Sequence, residues 1–226
     1  VRTGQRFDIT PRVSAPLSLG PYIDLLPSAS YRETDYQYSL GKNKNVQRRL
    51  FRTDVSARTR FSRIFGDLED PKATRYRHEI VPEVSHTSIP WVKRQAHSFF
   101  GTTDQESFFT SNTALNDSDN LQFDYHDRLY ERNLFTFSLS NYLIRKRKEV
   151  SEDDLTYNQI VLFRLSQSYD YWESIKKTDP RQPWSDISAL LDVRLDYFET
   201  NTLVRYYPYQ NLSSTTSRVK GIHPKG

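Results

Sequence analysis

Phe51-Arg52-Thr53-Asp54-Val55-Ser56-Ala57-Arg58-Thr59-Arg60-Phe61-Ser62 alternates in character from one residue to the next. The odd positions are Phe51, Thr53, Val55, Ala57, Thr59 and Phe61; the even ones are Arg52, Asp54, Ser56, Arg58, Arg60 and Ser62. Successive side chains of a β-strand point to opposite faces, so this stretch is a strand with one largely apolar face and one charged face.

The same period recurs on both sides of it. Phe7, Ile9, Pro11, Val13, Ala15, Leu17 and Leu19 alternate with Asp8, Thr10, Arg12, Ser14, Pro16 and Ser18. Further on, Phe135, Phe137, Leu139 and Leu143 are interleaved with Thr136, Ser138 and Ser140, and Val161, Phe163 and Leu165 with Arg164, Ser166 and Ser168. A fifth run is Ile187, Ala189, Leu191, Val193, Leu195 and Tyr197, with Asp192, Arg194 and Asp196 on its other face. Weaker alternation covers residues 23–38, residues 76–90 on even positions (Tyr76, Ile80, Pro82, Val84) and residues 202–208. The expectation is an all-β chain of about eight long antiparallel strands.

Strand length separates the β architectures. Soluble strands average about 5 to 6 residues, whereas a tilted membrane-crossing strand takes about 9 to 11. The best runs here sustain about 13 residues, or about 43 Å at roughly 3.3 Å per residue, which spans about 30 Å of bilayer at a tilt of about 45°. Helical spans are excluded, because the longest apolar run is Ile160-Val161-Leu162-Phe163. The pattern points to the wall of a transmembrane β-barrel. In that setting Val55, Ala57, Phe61, Phe135, Phe137, Leu139, Val161, Phe163, Leu165, Leu191, Val193 and Leu195 are the candidates for the lipid-facing side. Arg12, Arg52, Arg58, Arg60, Arg164 and Arg194 are the polar candidates for the lumen.

Connections and aromatics agree with a barrel. Outer-membrane barrels alternate short periplasmic turns with longer external loops. Tight turns are expected near Gly20-Pro21 and Thr200-Asn201, against a long polar excursion over residues 93–120 and a medium one over 176–183. Tyr31, Tyr36, Tyr38, Trp91, Tyr169, Tyr171, Trp172, Trp184, Tyr206, Tyr207 and Tyr209 cluster toward strand ends. Tyr and Trp favour the headgroup level, and sheet packing favours them as well. Pro11, Pro16, Pro27 and Pro82 fall inside strands, where each removes a ladder donor; bulges that bend the wall are expected there.

The 226 residues carry 32 Lys and Arg against 28 Asp and Glu, a net +4 of mixed sign that gives no one-signed surface for nucleic acid. Aromatics at 14% are too many for a disordered chain. Cys is absent, which excludes disulfides, thiolate nucleophiles and Cys zinc sites in this segment. Met is absent too, even at position 1, and the segment is expected to be an internal piece of a longer chain. No G-x-S-x-G, G-x-G-x-x-G, Walker or H-E-x-x-H signature occurs, so no catalytic residue, cofactor or metal ligand is assigned and the chain is not expected to be an enzyme. Asp124, His126 and Asp127 are the nearest to a ligand cluster, but neighbours on an extended segment point to opposite faces. Acidic turns at residues 67–70 and 152–154 could attract divalent cations, though such turns are ordinarily just solvated.

With these residues in view, the chain resembles the LptD family (OstA, Imp) of LPS-assembly outer-membrane proteins, in the middle of the C-terminal barrel. Arg6-Phe7-Asp8-Ile9-Thr10-Pro11 through Pro16-Leu17 resembles the family strand R-f-x-I-x-P-x-x-x-x-P-L, followed by Thr34-Asp35-Tyr36. His78-Glu79-Ile80-Val81-Pro82-Glu83-Val84 is similar to its L-E-P-r stretch, and Asp127-Arg128-Leu129 to its D-R-i segment. Residues 133–145 and 162–170 resemble the two strands that follow, with Ser166 where the family often has Gly.

The resemblance implies that residues 1–226 are part of a single outer-membrane barrel domain, with the family's N-terminal periplasmic jelly-roll and remaining strands lying outside this chain. It implies non-enzymatic insertion of lipopolysaccharide into the outer leaflet of a Gram-negative outer membrane. The implied partners are lipopolysaccharide, the lipoprotein plug LptE, the periplasmic bridge LptA and outer-membrane lipids. The polar-face arginines suit a phosphate-bearing cargo or a polar plug, since Arg pairs bidentately with phosphate and carboxylate. They equally suit a solvated wall in which Arg and Asp neutralise each other, as Asp192, Arg194 and Asp196 would on one face. Two other architectures fit part of the pattern: a soluble β-sandwich that binds carbohydrate through Trp and Tyr, and a complete small outer-membrane barrel of about eight strands.

Overall fold

The computed structural model describes residues 4–38, 45–66, 74–94, 131–148, 155–175, 177 and 180–222. Its elements are β1 (Gly4–Ile9), β2 (Arg12–Ser14), β3 (Leu17–Leu19), β4 (Ile23–Tyr38), β5 (Asn45–Thr59), β6 (Phe61–Phe65), β7 (Arg75–Arg94), β8 (Arg132–Lys148), β9 (Leu155–Asp170), α1 (Tyr171–Ile175), β10 (Ile187–Arg194), β11 (Phe198–Tyr207) and β12 (Leu212–Gly221). All strands belong to one antiparallel sheet in the order β1-β4-β5-β7-β8-β9-β10-β11-β12, with β2 and β3 also on β4 and β6 also on β7. Each strand of this path pairs with the next in sequence, the meander of a barrel wall. Among the described residues no second sheet packs on it, which removes the sandwich, and β1 does not pair with β12.

The twelve described strands amount to nine passes, because β1 to β3 share one register on β4, and β6 continues on β7 the register in which β5 ends. Eight of these correspond to the runs of alternating sequence. The ninth, β12, reads LSSTTSRVKG and has no apolar alternation; its backbone pairing with β11, from Phe198↔Gly221 to Tyr207↔Leu212, places it.

Prolines act differently from the expectation of bulges. Pro27 and Pro82 sit in register, opposite Val55 and Leu139. The register is also unbroken across the gaps at residues 10–11, 15–16 and 60. What is lost is one donor at a time. The Tyr31 N–H donates to Pro11 O at 3.1 Å and the Ala15 N–H to Pro27 O at 3.1 Å, but neither proline can return the bond. Pro82 lies at the rung of Thr59, where the ladder between β5 and β7 lapses before resuming at Phe61↔Ile80. The bulge of this region lies elsewhere: Phe51 pairs with Trp91 and Thr53 with Ser88, leaving Ile89-Pro90 as the irregular stretch of β7. A second register shift, between Leu143 and Ile144, leaves Ile160 as the extra residue of β9.

One expected turn is also moved. Thr200 and Asn201 lie inside β11, and the reversal falls at residues 195–197, where the Leu195 N–H donates to Phe198 O at 2.9 Å. Asp196, a favoured turn residue, ends the run that began at Ile187. The Gly20 turn stands as expected, with φ of 62°, which Gly adopts without strain.

Candidate functional site

Directly opposed residues in an antiparallel pair share a face, so the register sorts the side chains of the paired, described residues. Starting from Val55, one face takes in Pro27, Ala57, His86, Phe135 and Tyr169, then Phe137, Leu139, Leu165, Phe163, Val161, Ala189, Leu191, Val193 and Val204. Phe61 joins it opposite Ile80. Eleven of the twelve apolar candidates therefore lie on one face, and Leu195 lies just past β10 in the turn. Phe137 at 46% exposure, Phe61 at 61% and Leu195 at 39% leave large apolar surface uncovered among the described residues. A face this apolar and this open is suited to contact with a non-aqueous phase.

The face is banded. Tyr31, Phe51 and Trp91 form one cross-strand row, and Phe135, Tyr169 and Trp184 another, with the Tyr169 and Trp184 rings edge-to-face at 4.8 Å between centroids. Phe61, opposite Ile80, marks the other margin, and the next same-face rung is the polar pair Arg63 and His78. Phe51 and Phe61 are ten residues apart on one continuous line, roughly 33 Å, or about 25 Å at the tilt of about 40° usual for barrels. Beyond Tyr31 and Phe51 the same face becomes charged, with the Arg49 guanidinium 2.8 Å from Glu33. Polar exceptions on the face include Arg63, His78, Asn141, Gln167, Thr202, the His86 and Asn133 pair at 2.6 Å, and the hydroxyls Ser213, Thr215 and Ser217 of β12.

The opposite face holds Arg12, Arg52, Arg58, Arg164 and Arg194, and Arg60 reaches Glu79 on the same side. Leu162, Leu190 and Leu203 are apolar intrusions there. Four of the six arginines have carboxylate partners: Arg52 with Asp54 at 2.6 Å, Arg58 with Asp24 at 3.5 Å, Arg60 with Glu79 at 3.9 Å and Arg194 with Asp192 at 2.9 Å. Asp196, expected beside Arg194, instead binds Arg145 at 2.7 Å from the displaced turn. The remaining two are bound to hydroxyls. Arg12 Nη2 donates to Ser28 Oγ at 3.0 Å, and Arg164 donates to Ser140 Oγ at 3.0 Å and Tyr142 Oη at 3.3 Å.

Arg12 lines a cavity of about 390 Å³ on this face, together with Arg6, Asp8, Arg32, Arg52 and Asp54. Asp8 is held between Arg6, at 2.8 Å, and Arg32. Asp54 accepts from Arg52 and from Thr87 Oγ1 at 2.8 Å. Arg6, Asp8 and Arg32 were not singled out from the sequence, although Arg6 and Asp8 share even parity with Arg12 on one strand line. Past the aromatic row, this face carries the buried apolar side chains Tyr36, Val46 and Leu50.

The family model described as LptD, LPS transport system D, matches residues 1–219. The chain belongs to the LptD family. No curated protein matches the chain. Membership in LptD makes lipopolysaccharide transport and assembly its general process, and the single antiparallel sheet is the wall that a barrel of this family requires. Asp124, His126, Asp127 and the acidic turns at 67–70 and 152–154 lie outside the described residues. Among the described residues no group of three His, Cys, Asp or Glu could hold a metal ion.

Proposed function

We propose that this chain is a stretch of barrel wall, within one domain, in the outer-membrane translocon that inserts lipopolysaccharide into the outer leaflet of a Gram-negative cell. The face bearing Val55, Phe137 and Phe163 meets lipid, and the face bearing Arg12, Arg52 and Arg164 lines the lumen. No bond is made or broken; the wall supplies a polar path beside an apolar phase. The lipoprotein plug LptE would occupy the lumen and the LptA bridge would deliver cargo through the family's N-terminal domain. The observation that carries the reading is the apolar band of about 25 Å between two aromatic margins, the height usual for an outer-membrane barrel.

Antiparallel order orients the wall. Residues 20–22, 66–74, 149–154 and 195–197 connect strands at one end, and 39–44, 95–131, 171–186 and 208–211 at the other. The second end carries the two longest connections, and is therefore external. The test is single-cysteine labelling at positions 55 to 61 in the full-length protein in membranes. Odd positions are expected to be quenched from the lipid phase and even ones to react with a water-soluble reagent. Equal accessibility of both sets would overturn the proposal.

A further inference from the structure

The apolar face ends, at the margin of Phe61, on a cation that no described carboxylate neutralises. Arg63 lies one same-face rung past Phe61, directly opposite His78, and among the described residues no carboxylate is paired with it. Its guanidinium carbon stands 5.2 Å from the centroid of the Phe65 ring. Phe65 opposes Tyr76, and both rings are exposed. Arg145, on the same face opposite Tyr76, is instead bound to Asp196 at 2.7 Å. Glu79, next to His78 in the chain, lies on the opposite face, held by Arg77 at 2.9 Å and Arg60 at 3.9 Å. Around Arg63 the margin is aliphatic, with Ile80, Leu143, Val161 and Val193. All five residues of β6, Phe61–Phe65, are exposed. Two residues past Phe61 are roughly 7 Å along the strand, or about 5 Å of height at a tilt of about 40°. The headgroup regions add about 5 to 7 Å to each side of a hydrocarbon core of about 30 Å, so the guanidinium stands at the level of the lipid phosphates.

We infer that the β6–β7 margin formed by Arg63, Phe65, Tyr76 and His78 is a docking site for an anionic diacyl phospholipid, of the phosphatidylglycerol type, in the inner leaflet. This is a lipid of the surrounding membrane, held on the outside of the wall. The guanidinium fork takes the phosphodiester through two N–H donors, and the His78 ring and the Tyr76 hydroxyl offer donors to the glycerol oxygens. The acyl chains cover the exposed β6. A net charge of −1 on the headgroup balances Arg63, whereas in phosphatidylethanolamine the ammonium already neutralises the phosphate. The inference rests on the lipid-facing assignment and on the orientation proposed above, which puts this end of the strands on the periplasmic side.

The experiment uses the full-length protein in its native complex, with a benzophenone amino acid replacing Leu143, which opposes His78 on the lipid side. In nanodiscs of equal phosphatidylglycerol and phosphatidylethanolamine, the captured lipid is identified by mass spectrometry. Phosphatidylglycerol is expected to be captured about fivefold more often, the weight of one arginine beside an anionic headgroup. Arg63→Gln should bring the two lipids level, Arg63→Lys should keep part of the preference, and raised salt should shrink it. Arg194→Gln, on the opposite face, should leave it unchanged. The same amino acid at Val193, on this margin but four strands from Arg63, should capture both lipids equally. Heat-modifiable migration on gels verifies that each variant is folded. Equal capture of both lipids at Leu143, with lipid captured at both positions, overturns the site alone, as does a preference that survives Arg63→Gln. Capture of a protein at Leu143 in place of lipid overturns it in favour of a protein contact. In intact cells phosphatidylglycerol is again expected at Leu143; lipopolysaccharide there would place this margin in the outer leaflet and overturn the inference together with the orientation. No lipid at either position overturns the lipid-facing reading itself.

Discussion

Glu33 and Arg49 oppose each other across β4 and β5 and form an ion pair at 2.8 Å on the face that carries Val55, one same-face rung beyond Tyr31 and Phe51. A face that is apolar from Phe61 to Phe51 and ionic at Arg49 has a boundary between these two residues. Exposed ion pairs contribute about 0 to 1 kcal/mol, so this pair marks where water begins more than it holds the strands together.

That boundary can be measured by moving a charge across it. Val55→Arg, at the middle of the apolar band, should destabilise the barrel by about 2 to 4 kcal/mol, whereas Gln47→Arg, beyond the boundary, should cost less than about 1 kcal/mol. Reversible urea unfolding in lipid reads both, and equal costs would show that the face does not meet the bilayer.

His86 and Asn133 lie within the band, with Nε2 and Oδ1 2.6 Å apart and the Phe135 ring centred 4.5 Å from the imidazole. Asn133→Leu should cost about 1 to 3 kcal/mol by leaving the imidazole without its partner, while the double change His86→Leu with Asn133→Leu should recover most of that loss. A double-mutant cycle in the same unfolding assay decides it; additive losses would mean that the pair is not coupled.

Pro82 withholds a donor at the rung of Thr59. Pro82→Ala should restore the ladder there and slow hydrogen exchange at the amide gained at this position to the rate of its neighbours. Net stability should change by less than about 1 kcal/mol, because the gained bond is offset by a freer unfolded chain. Fast exchange at that amide would mean that the lapse has another cause.

Trp184 fastens its connection to the sheet through its ring on Tyr169, while the backbone N–H of the same residue, which Trp184→Ala retains, donates to Tyr209 Oη at 2.9 Å. Trp184→Ala should raise protease cleavage between residues 175 and 184 and cost about 0.5 to 1.5 kcal/mol beyond the lost area. Unchanged cleavage would show that Pro183 and Ser185, bonded to Asp170 and Ser168, suffice to hold it.

What the sequence determined by itself was the parity of each strand. Phe51 to Ser62, Phe135 to Leu143 and Val161 to Ser168 carry their face assignment in their own order, because a period of two is a local property of extended backbone. The family was legible too, in a resemblance that runs in order from about Arg6 to Tyr209. Only tertiary structure decided what depends on a partner strand. It placed β12, whose Ser and Thr have no parity and which is a strand only because β11 offers ten backbone partners. It set the Leu195–Tyr197 reversal and turned Pro27 and Pro82 from expected bulges into missing rungs. It also gave Arg58 and Arg60 their carboxylates, Asp24 and Glu79, since a partner one strand away is invisible along the chain and becomes a neighbour only when the register is fixed, whereas Asp54 and Asp192 stand two residues from Arg52 and Arg194 in the sequence itself.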